Sequence, residues 1–127
     1  MKRYGAGILA LSLGLSLFAC ATDPDPSYAE FLVDVDSETF VARISDPETI
    51  MQFREAVAGR AQGFPAGPLR SGNGGFNVPW TWHLDPAETR LVEVAIEVCD
   101  GRPTYVETHQ SEFPTYCPWG ARVVRER

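Results

Sequence analysis

The chain has 127 residues, 44% of them hydrophobic, and carries a formal net charge of -6 at pH 7. This length fits one small domain with a modest hydrophobic core. The excess of Asp and Glu argues against nucleic acid and anionic membrane surfaces as partners, because both require Lys and Arg to neutralise phosphates.

The first twenty residues are organised like a bacterial export signal. Lys2 and Arg3 precede an apolar run at residues 8–18, which is too short to cross a bilayer of roughly 30 Å as a helix. The run ends in Leu17-Phe18-Ala19-Cys20, which resembles the bacterial lipoprotein box. The resemblance implies cleavage before Cys20 and acylation of that residue, which would anchor the mature chain to a membrane.

We therefore expect three segments: a lipoprotein signal peptide at 1–19, a lipidated tether at 20–29 and a single domain at 30–127. Removal of Lys2 and Arg3, the only charges before Cys20, takes the net charge from -6 to -8. By resemblance to Gram-negative lipoproteins, Ala21 favours the outer membrane or cell surface over the inner membrane. The alternative is an ordinary signal peptide cut after Ala19 or Ala21, with Cys20 incidental.

Residues 31–44 read as two short strands joined by a turn at residues 36–38, because apolar residues alternate along the first of them. A helix is predicted over residues 47–58. Ser45 or Asp46 can cap its start, Pro47 suits the first helical position and Gly59 suits its end.

Residues 60–79 are rich in Gly and Pro and predict a long irregular segment, with a short edge strand over residues 64–70. The next two strands are predicted at 80–84 and 91–99. Pairing Trp82 with Val92 and Trp80 with Val94 would place all four side chains on the core face. This register would also bring His83 next to Glu93 on the outer face.

A second helix is predicted over residues 103–110, with Thr104 and Glu107 at capping-box spacing, and a closing strand over residues 121–124. The elements together predict a small single α+β domain with an antiparallel sheet of about four or five strands and two helices.

Cysteine usage agrees with export. If Cys20 carries lipid, Cys99 and Cys117 remain as an even pair in an oxidising compartment, which favours a disulfide between them. The bond would contribute on the order of 3 kcal/mol to a domain of this size. The alternative is that one of the two is a free catalytic thiol.

Three blocks in order carry a family resemblance: Trp80-Thr81-Trp82-His83-Leu84-Asp85-Pro86, then Ala95-Ile96-Glu97-Val98-Cys99-Asp100, then Cys117-Pro118-Trp119. They resemble a family of small secreted domains of unestablished function that spans essentially the whole mature chain. The resemblance implies a single domain and supports the pairing of Cys99 with Cys117, and it supplies no reaction.

The sequence favours a membrane-anchored, non-enzymatic binding domain for a protein or carbohydrate partner, without a cofactor or metal. Its contact surface is expected at the Gly-rich loop and the aromatic and polar residues around it. The candidate binding residues are Phe76, Asn77, Trp80, Trp82, His83, Asp85 and Trp119. The alternative is a small exported hydrolase or metal-assisted enzyme that uses His83 with Glu93 or Glu97.

Overall fold

A computed structural model describes residues 27–127, and the predicted signal peptide, Cys20 and most of the tether lie outside the described residues. The strands are β1 (Ala29–Val35), β2 (Glu38–Ile44), β3 (Phe64–Ser71), β4 (Trp82–Leu84), β5 (Arg90–Val92), β6 (Thr115–Tyr116) and β7 (Arg122–Glu126), and the helices are α1 (Pro47–Val57) and α2 (Pro103–Thr108). A single 3-10 turn follows at Gln110–Glu112. Neither described helix is both long and apolar enough to span a membrane.

The predicted α+β class is confirmed, with the strands arranged as two antiparallel sheets of three and four strands rather than one sheet. In the first sheet β1 lies between β2 and β7. The predicted hairpin is confirmed, and its turn uses positive φ at Asp36 and Ser37, the backbone that two-residue hairpin turns require. Both neighbours of β1 are therefore strands, and its core-facing side chains are fully covered.

The predicted first helix is confirmed, and it begins where the sequence indicates. The Asp46 carboxylate accepts hydrogen bonds from the backbone N–H and the hydroxyl of Thr49, at 3.0 and 2.6 Å, which satisfies an otherwise unpaired N–H of the first turn. Phe53 is buried and its ring lies 5.1 Å from that of Phe31. This contact joins α1 to the first sheet.

The second sheet is organised around β3, which pairs with β4, β5 and β6. A strand over residues 64–70 was expected, but its placement at an edge was wrong, since β3 is the strand that the other three share. Gly67 is required at its middle, because a Cβ there would overlap the Thr89 hydroxyl oxygen. The Gly and Pro content of this segment is typical of an irregular or edge segment, although the segment forms the central strand of its sheet.

The second helix is confirmed, but its predicted capping box is wrong. Thr104 donates to Glu38 of β2 through both its backbone N–H and its hydroxyl, at 2.9 and 3.0 Å. Glu107 instead accepts from the backbone N–H and hydroxyl of Thr81. Both polar residues of the presumed box thus connect α2 to the sheets, which capping-box spacing alone cannot distinguish from a local cap.

The strand predicted over residues 91–99 is mostly wrong. Only Arg90–Val92 forms a strand, and Val92 pairs with Phe64 of β3 rather than with Trp82. Because β3 begins at Phe64, no residue of that strand lies opposite the chain beyond Val92. Alternation of side chains predicts an extended segment, but it does not show that a neighbouring strand exists.

The disulfide between Cys99 and Cys117 is confirmed, with both side chains buried and Cα atoms 5.1 Å apart. It joins the end of the segment that follows β5 to the residue after β6. Phe64 packs with the two cysteines in a small cluster beside the main core. The disulfide therefore fixes one end of residues 93–98 while leaving the segment itself outside both sheets.

Candidate binding surface

Three of the expected binding residues are buried and belong to the core. Trp82 is fully buried and packs against Phe40 and Tyr116, with ring centroids 5.4 Å apart in each pair. Phe76 and Asn77 are buried as well. Side chains in these positions offer no surface to a partner.

Asn77 has a structural role, because its buried side chain hydrogen-bonds to the backbone of two strands. Its side-chain oxygen accepts from the Val41 N–H at 2.8 Å, and its amide nitrogen donates to the Trp82 carbonyl, also at 2.8 Å. One buried amide thus connects β2 of the first sheet with β4 of the second. Buried polar groups need such partners, since an unpaired one is costly.

Two further candidates are held in place by backbone contacts. Trp80 donates through its indole N–H to the Thr39 carbonyl at 2.9 Å. The Nδ1 atom of His83 lies 2.7 Å from the Gly72 carbonyl oxygen, and its ring meets that of Phe76 edge-on at 5.4 Å. These contacts connect Trp80 to β2 and make His83 a support for the Gly-rich loop.

Asp85 orders the turn between β4 and β5. Its carboxylate accepts from the backbone N–H groups of Ala87 and Glu88 and from the Arg70 guanidinium at 3.0 Å. Partial burial opposes ionisation, but these donors together lower the pKa of Asp85 below its ordinary value. The carboxylate is therefore engaged within the fold.

The expected approach of His83 to Glu93 is wrong. His83 lies opposite Arg70 on β3, while Val92, the neighbour of Glu93, lies opposite Phe64. At about 3.3 Å per residue, the length of strand from Phe64 to Arg70 separates them by roughly 20 Å. Among residues 27–127, no three His, Cys, Asp or Glu side chains form a group able to hold a metal ion.

The Gly-rich loop itself packs closely against the fold. Gly74 has a positive φ, and a Cβ there would come within 2.9 Å of both Phe76 and His83. The Asn73 side chain accepts from the Gly75 N–H at 2.8 Å. The exposed side chains at residues 71–75 are small and polar, and Val78 is exposed and aliphatic, so the loop lacks the aromatic contact surface that the sequence suggested.

A hollow of about 840 Å³ lies beside Ser27 and Tyr28. An Arg54–Glu126 ion pair of 2.8 Å lies among its lining residues. Its lining includes Ser27, Tyr28 and Ala29, the first residues that the structure describes. Its position makes it a weaker candidate than the surface around Trp119.

The most exposed apolar surface follows β5. Val94, Ile96 and Val98 are 76%, 96% and 99% exposed, and we call these three residues the exposed ridge. Trp119, the one expected binding residue with an exposed aromatic side chain, is 53% exposed. Contiguous exposed apolar residues are informative, whereas single ones are common on protein surfaces.

Two shallow hollows connect the ridge with Trp119. One of about 290 Å³ is lined by Val94, Ile96 and Cys117, and another of about 390 Å³ by Val94, Phe64 and Trp119. Val94 therefore lies between them. Val94 and Ile96 are thus connected with Trp119 through these hollows, and Cys99 and Cys117 of the disulfide line one of them.

The backbone groups of the ridge lack hydrogen-bond partners in the described chain, and its side chains are exposed. Within the part of the chain that the structure describes, the N–H and C=O groups of Val94, Ala95 and Ile96 have no protein hydrogen bond. The segment ends where the Cys99 N–H bonds to the Glu97 carbonyl at 3.0 Å. Backbone groups that lack partners and lie beside exposed apolar side chains are open to pairing, as at the edge of a sheet.

Acidic side chains border this surface. Glu93 and Glu97 alternate with the ridge residues and are exposed, and Asp100 follows the disulfide. Asp100 accepts from the Trp119 N–H at 2.9 Å and from the Gly101 N–H, which orders the loop carrying the tryptophan. The apolar surface thus has a negative rim.

The ridge itself was missed as a site, although its pattern was seen. The alternation predicts a strand over residues 91–99 with Val94 on its core face, whereas Val94 is 76% exposed. The signal that could have shown where the strand ends is Gly63, the glycine just before β3. A Cβ at Gly63 would lie 2.8 Å from the Val92 carbonyl oxygen, so the segment before β3 is in close contact with the end of β5 at the point where their pairing stops.

The sequence matches the family model of the BP-74 N-terminal domain over residues 25–127. The chain belongs to this family. Comparisons with curated proteins and with solved structures find no match for it. Membership confirms the expectation of a small domain family of unestablished function, and the family's domain is here the scaffold that carries the exposed ridge.

Proposed function

We propose that this protein is an exported lipoprotein, anchored through Cys20, whose folded domain is a non-enzymatic module that binds a protein partner at the cell envelope. The contact surface is the exposed ridge with Trp119. The observation that carries the proposal is the complete exposure of Ile96 and Val98 beside a half-exposed tryptophan on a rigid, disulfide-linked support.

The energetics of this surface favour a binding role. Burying an aliphatic side chain contributes about 1.5–3 kcal/mol, and the ridge leaves three such residues in water. A partner that covers them would recover that free energy, with Trp119 as an aromatic anchor of the kind that dominates interfaces. Aliphatic side chains favour a protein over a carbohydrate, because sugars need many polar donors and acceptors.

The separation of charged groups argues against the enzymatic alternative. His83 is engaged with the Gly72 carbonyl oxygen and lies roughly 20 Å of strand from Glu93. General acid–base catalysis by the two would require them within hydrogen-bond reach of one substrate. A binding module needs no such convergence.

The anchor would hold this surface near the membrane. Seven residue steps separate Cys20 from Ser27, and an extended chain reaches about 3.5 Å per residue, or roughly 25 Å here. A partner at the envelope would therefore be met within a shallow layer above the bilayer.

Site-specific photocrosslinking in the complete chain tests the proposal. A photoreactive residue at Ile96 should give a discrete protein adduct in the envelope of the host. Met51, an exposed apolar residue on α1, is the matched control and should give none. If Ile96 and Val98 both fail to crosslink while the protein is correctly exported, the ridge is not a binding surface.

The anchor is tested separately by labelling with a fatty acid. The full chain should incorporate label and fractionate with membranes, and Cys20→Ala should lose both. A Cys20→Ala protein that still carries label would overturn the assignment of Cys20. This arm does not depend on the identity of the partner.

A further inference from the structure

Resting on the proposed binding surface, we propose that its partner is a basic protein segment, and that the hollow between Trp119 and Glu93 receives one of its Arg or Lys side chains. Both residues line that hollow of about 390 Å³ together with Val94 and Phe64. A neighbouring hollow of about 320 Å³ has the same four residues in its lining. The site therefore combines an aromatic side chain, a carboxylate and an apolar wall.

Glu93 and Glu97 differ from most other carboxylates of the chain. Within residues 27–127, they and Glu48 are the acidic side chains that neither accept a hydrogen bond nor form an ion pair. Glu48 lies in the first turn of α1, where the helix N-terminus favours negative charge. Glu93 and Glu97 lie outside the helices, so their charge is available to a partner.

A partner that covers the exposed ridge must also cover these carboxylates. Glu93 lines the hollow shared by Val94 and Trp119. Glu97 lines the other hollow, with Ile96. A carboxylate that is removed from water without a counter-charge or a donor carries a large free-energy cost. The hydrophobic free energy of the contact is therefore retained only if the partner brings cations to the rim.

Trp119 suits a cation as well as an apolar group. Its side chain is exposed, and its backbone N–H donates to the Asp100 carboxylate at 2.9 Å, which orders the loop that carries it. A cation over an aromatic face is stabilised by the charge distribution of the ring, and most strongly by Trp. A guanidinium can in addition donate two hydrogen bonds to one carboxylate. One basic side chain can thus contact Trp119 and Glu93 together.

The same features separate this partner from other occupants of the surface. Anionic lipid headgroups and a second copy of this acidic chain would both bring negative charge to a negative rim. A metal ion requires several converging ligands, and no group of three suitable side chains exists among residues 27–127. A basic protein segment satisfies the carboxylates and the apolar residues at once.

Photocrosslinking from Ile96 in the complete chain, in the envelope of the host, tests the charge of the partner. Glu93→Lys should reduce the protein adduct roughly tenfold, because like charges across an interface oppose association. Glu48→Lys makes the same change of net charge on α1 and should leave the adduct unchanged. Raising the salt concentration from about 50 to about 500 mM should weaken the wild-type adduct, since salt screens attraction between opposite charges. An equal loss in Glu48→Lys would show that net charge alone matters and would overturn the site.

Two replacements of Trp119 test the contact of the cation with its ring. Trp119→Leu keeps an apolar side chain and removes the aromatic face, whereas Trp119→Phe keeps an aromatic face. The adduct from Ile96 should fall several-fold in Trp119→Leu and less in Trp119→Phe. Equal loss in the two would overturn a cation at this ring. Each variant should unfold at the wild-type temperature, because Glu48, Glu93 and Trp119 are exposed.

The outcomes separate the basic partner from the binding surface itself. A protein adduct that is unchanged in Glu93→Lys overturns the basic partner and leaves the binding surface in place. An adduct that increases in Glu93→Lys, or that contains two copies of this chain, shows an acidic partner and overturns it as well. Lipid adducts, or no adduct from either Ile96 or Val98, overturn both proposals.

Discussion

Two segments of this chain share one sequence pattern and have opposite environments. Phe31, Val33 and Val35 alternate along β1 and are at most 5% exposed, whereas Val94, Ile96 and Val98 alternate along the exposed ridge and are at least 76% exposed. β1 has a hydrogen-bonded neighbour on each side, and the ridge has none within residues 27–127.

The difference shows what decides the burial of an alternating segment. β1 is covered because α1 packs onto its sheet through the contact of Phe53 with Phe31. The ridge continues past the first residue of β3, so no strand or helix of the described chain covers it. Alternating apolar residues indicate that a segment can pair as a strand. Whether it pairs within the monomer depends on whether the rest of the chain provides a neighbouring strand.

The sharpest test of the contrast is truncation of one aromatic and one aliphatic side chain. Phe31→Ala should lower the free energy of unfolding by about 3–5 kcal/mol, because it opens a cavity in the core. Ile96→Ala should change it by less than about 0.5 kcal/mol, as an exposed substitution. Urea unfolding measures both. A large loss in Ile96→Ala would mean that the ridge is packed within the folded monomer.

Removal of the disulfide should affect the ridge more than the hairpin. Cys99→Ala with Cys117→Ala opens a loop of sequence separation 18 and should cost about 3 kcal/mol of stability, because the unfolded chain gains freedom. Amide hydrogen exchange should accelerate around Cys99 while β1 stays the best protected strand. Equal loss of protection in both regions would show that they unfold as one unit.

Much of the first sheet could be predicted because its signals are local. The hairpin turn at Asp36 and Ser37 and the cap at Asp46 depend on neighbouring residues, and the structure confirms both elements. The disulfide was predicted because Cys99 and Cys117 remain as an even pair if Cys20 carries lipid. These features need no knowledge of distant contacts.

The candidate surface could not be predicted because it depends on contacts that are absent locally. Asn77 and Trp82 were predicted to be binding residues and are buried, because the sequence alone does not distinguish an aromatic or amide side chain in a core from one at an interface. Gly67 is required by the approach of Thr89, twenty-two positions away. Only the tertiary arrangement shows that Trp82 is covered and that Ile96 is not.

Asn77 offers a test of how the two sheets are joined. Asn77→Ala leaves the Val41 N–H and the Trp82 carbonyl without their partner, and an unsatisfied buried group costs about 1–3 kcal/mol. Unfolding in urea should report that loss. Asn73→Ala, in the exposed part of the same loop, is the control and should have a smaller effect. A neutral Asn77→Ala would mean that water replaces the side chain fully.

The smallest expected effect concerns the cap of α1, which follows the hairpin and lies apart from the ridge. The side-chain and backbone hydrogen bonds from Thr49 hold the pKa of Asp46 below its ordinary value of 3.8. A carboxyl whose folded pKa is depressed contributes stability that is present above the unfolded pKa. That stability is lost as the pH falls through the folded pKa.

The wild type should therefore lose stability below about pH 3.8 more steeply than Asp46→Asn, whose amide caps the helix without titrating. The comparison is a set of urea midpoints across the acid range, from about pH 2 to about pH 6, and parallel curves for the two proteins would show that the cap does not depend on charge.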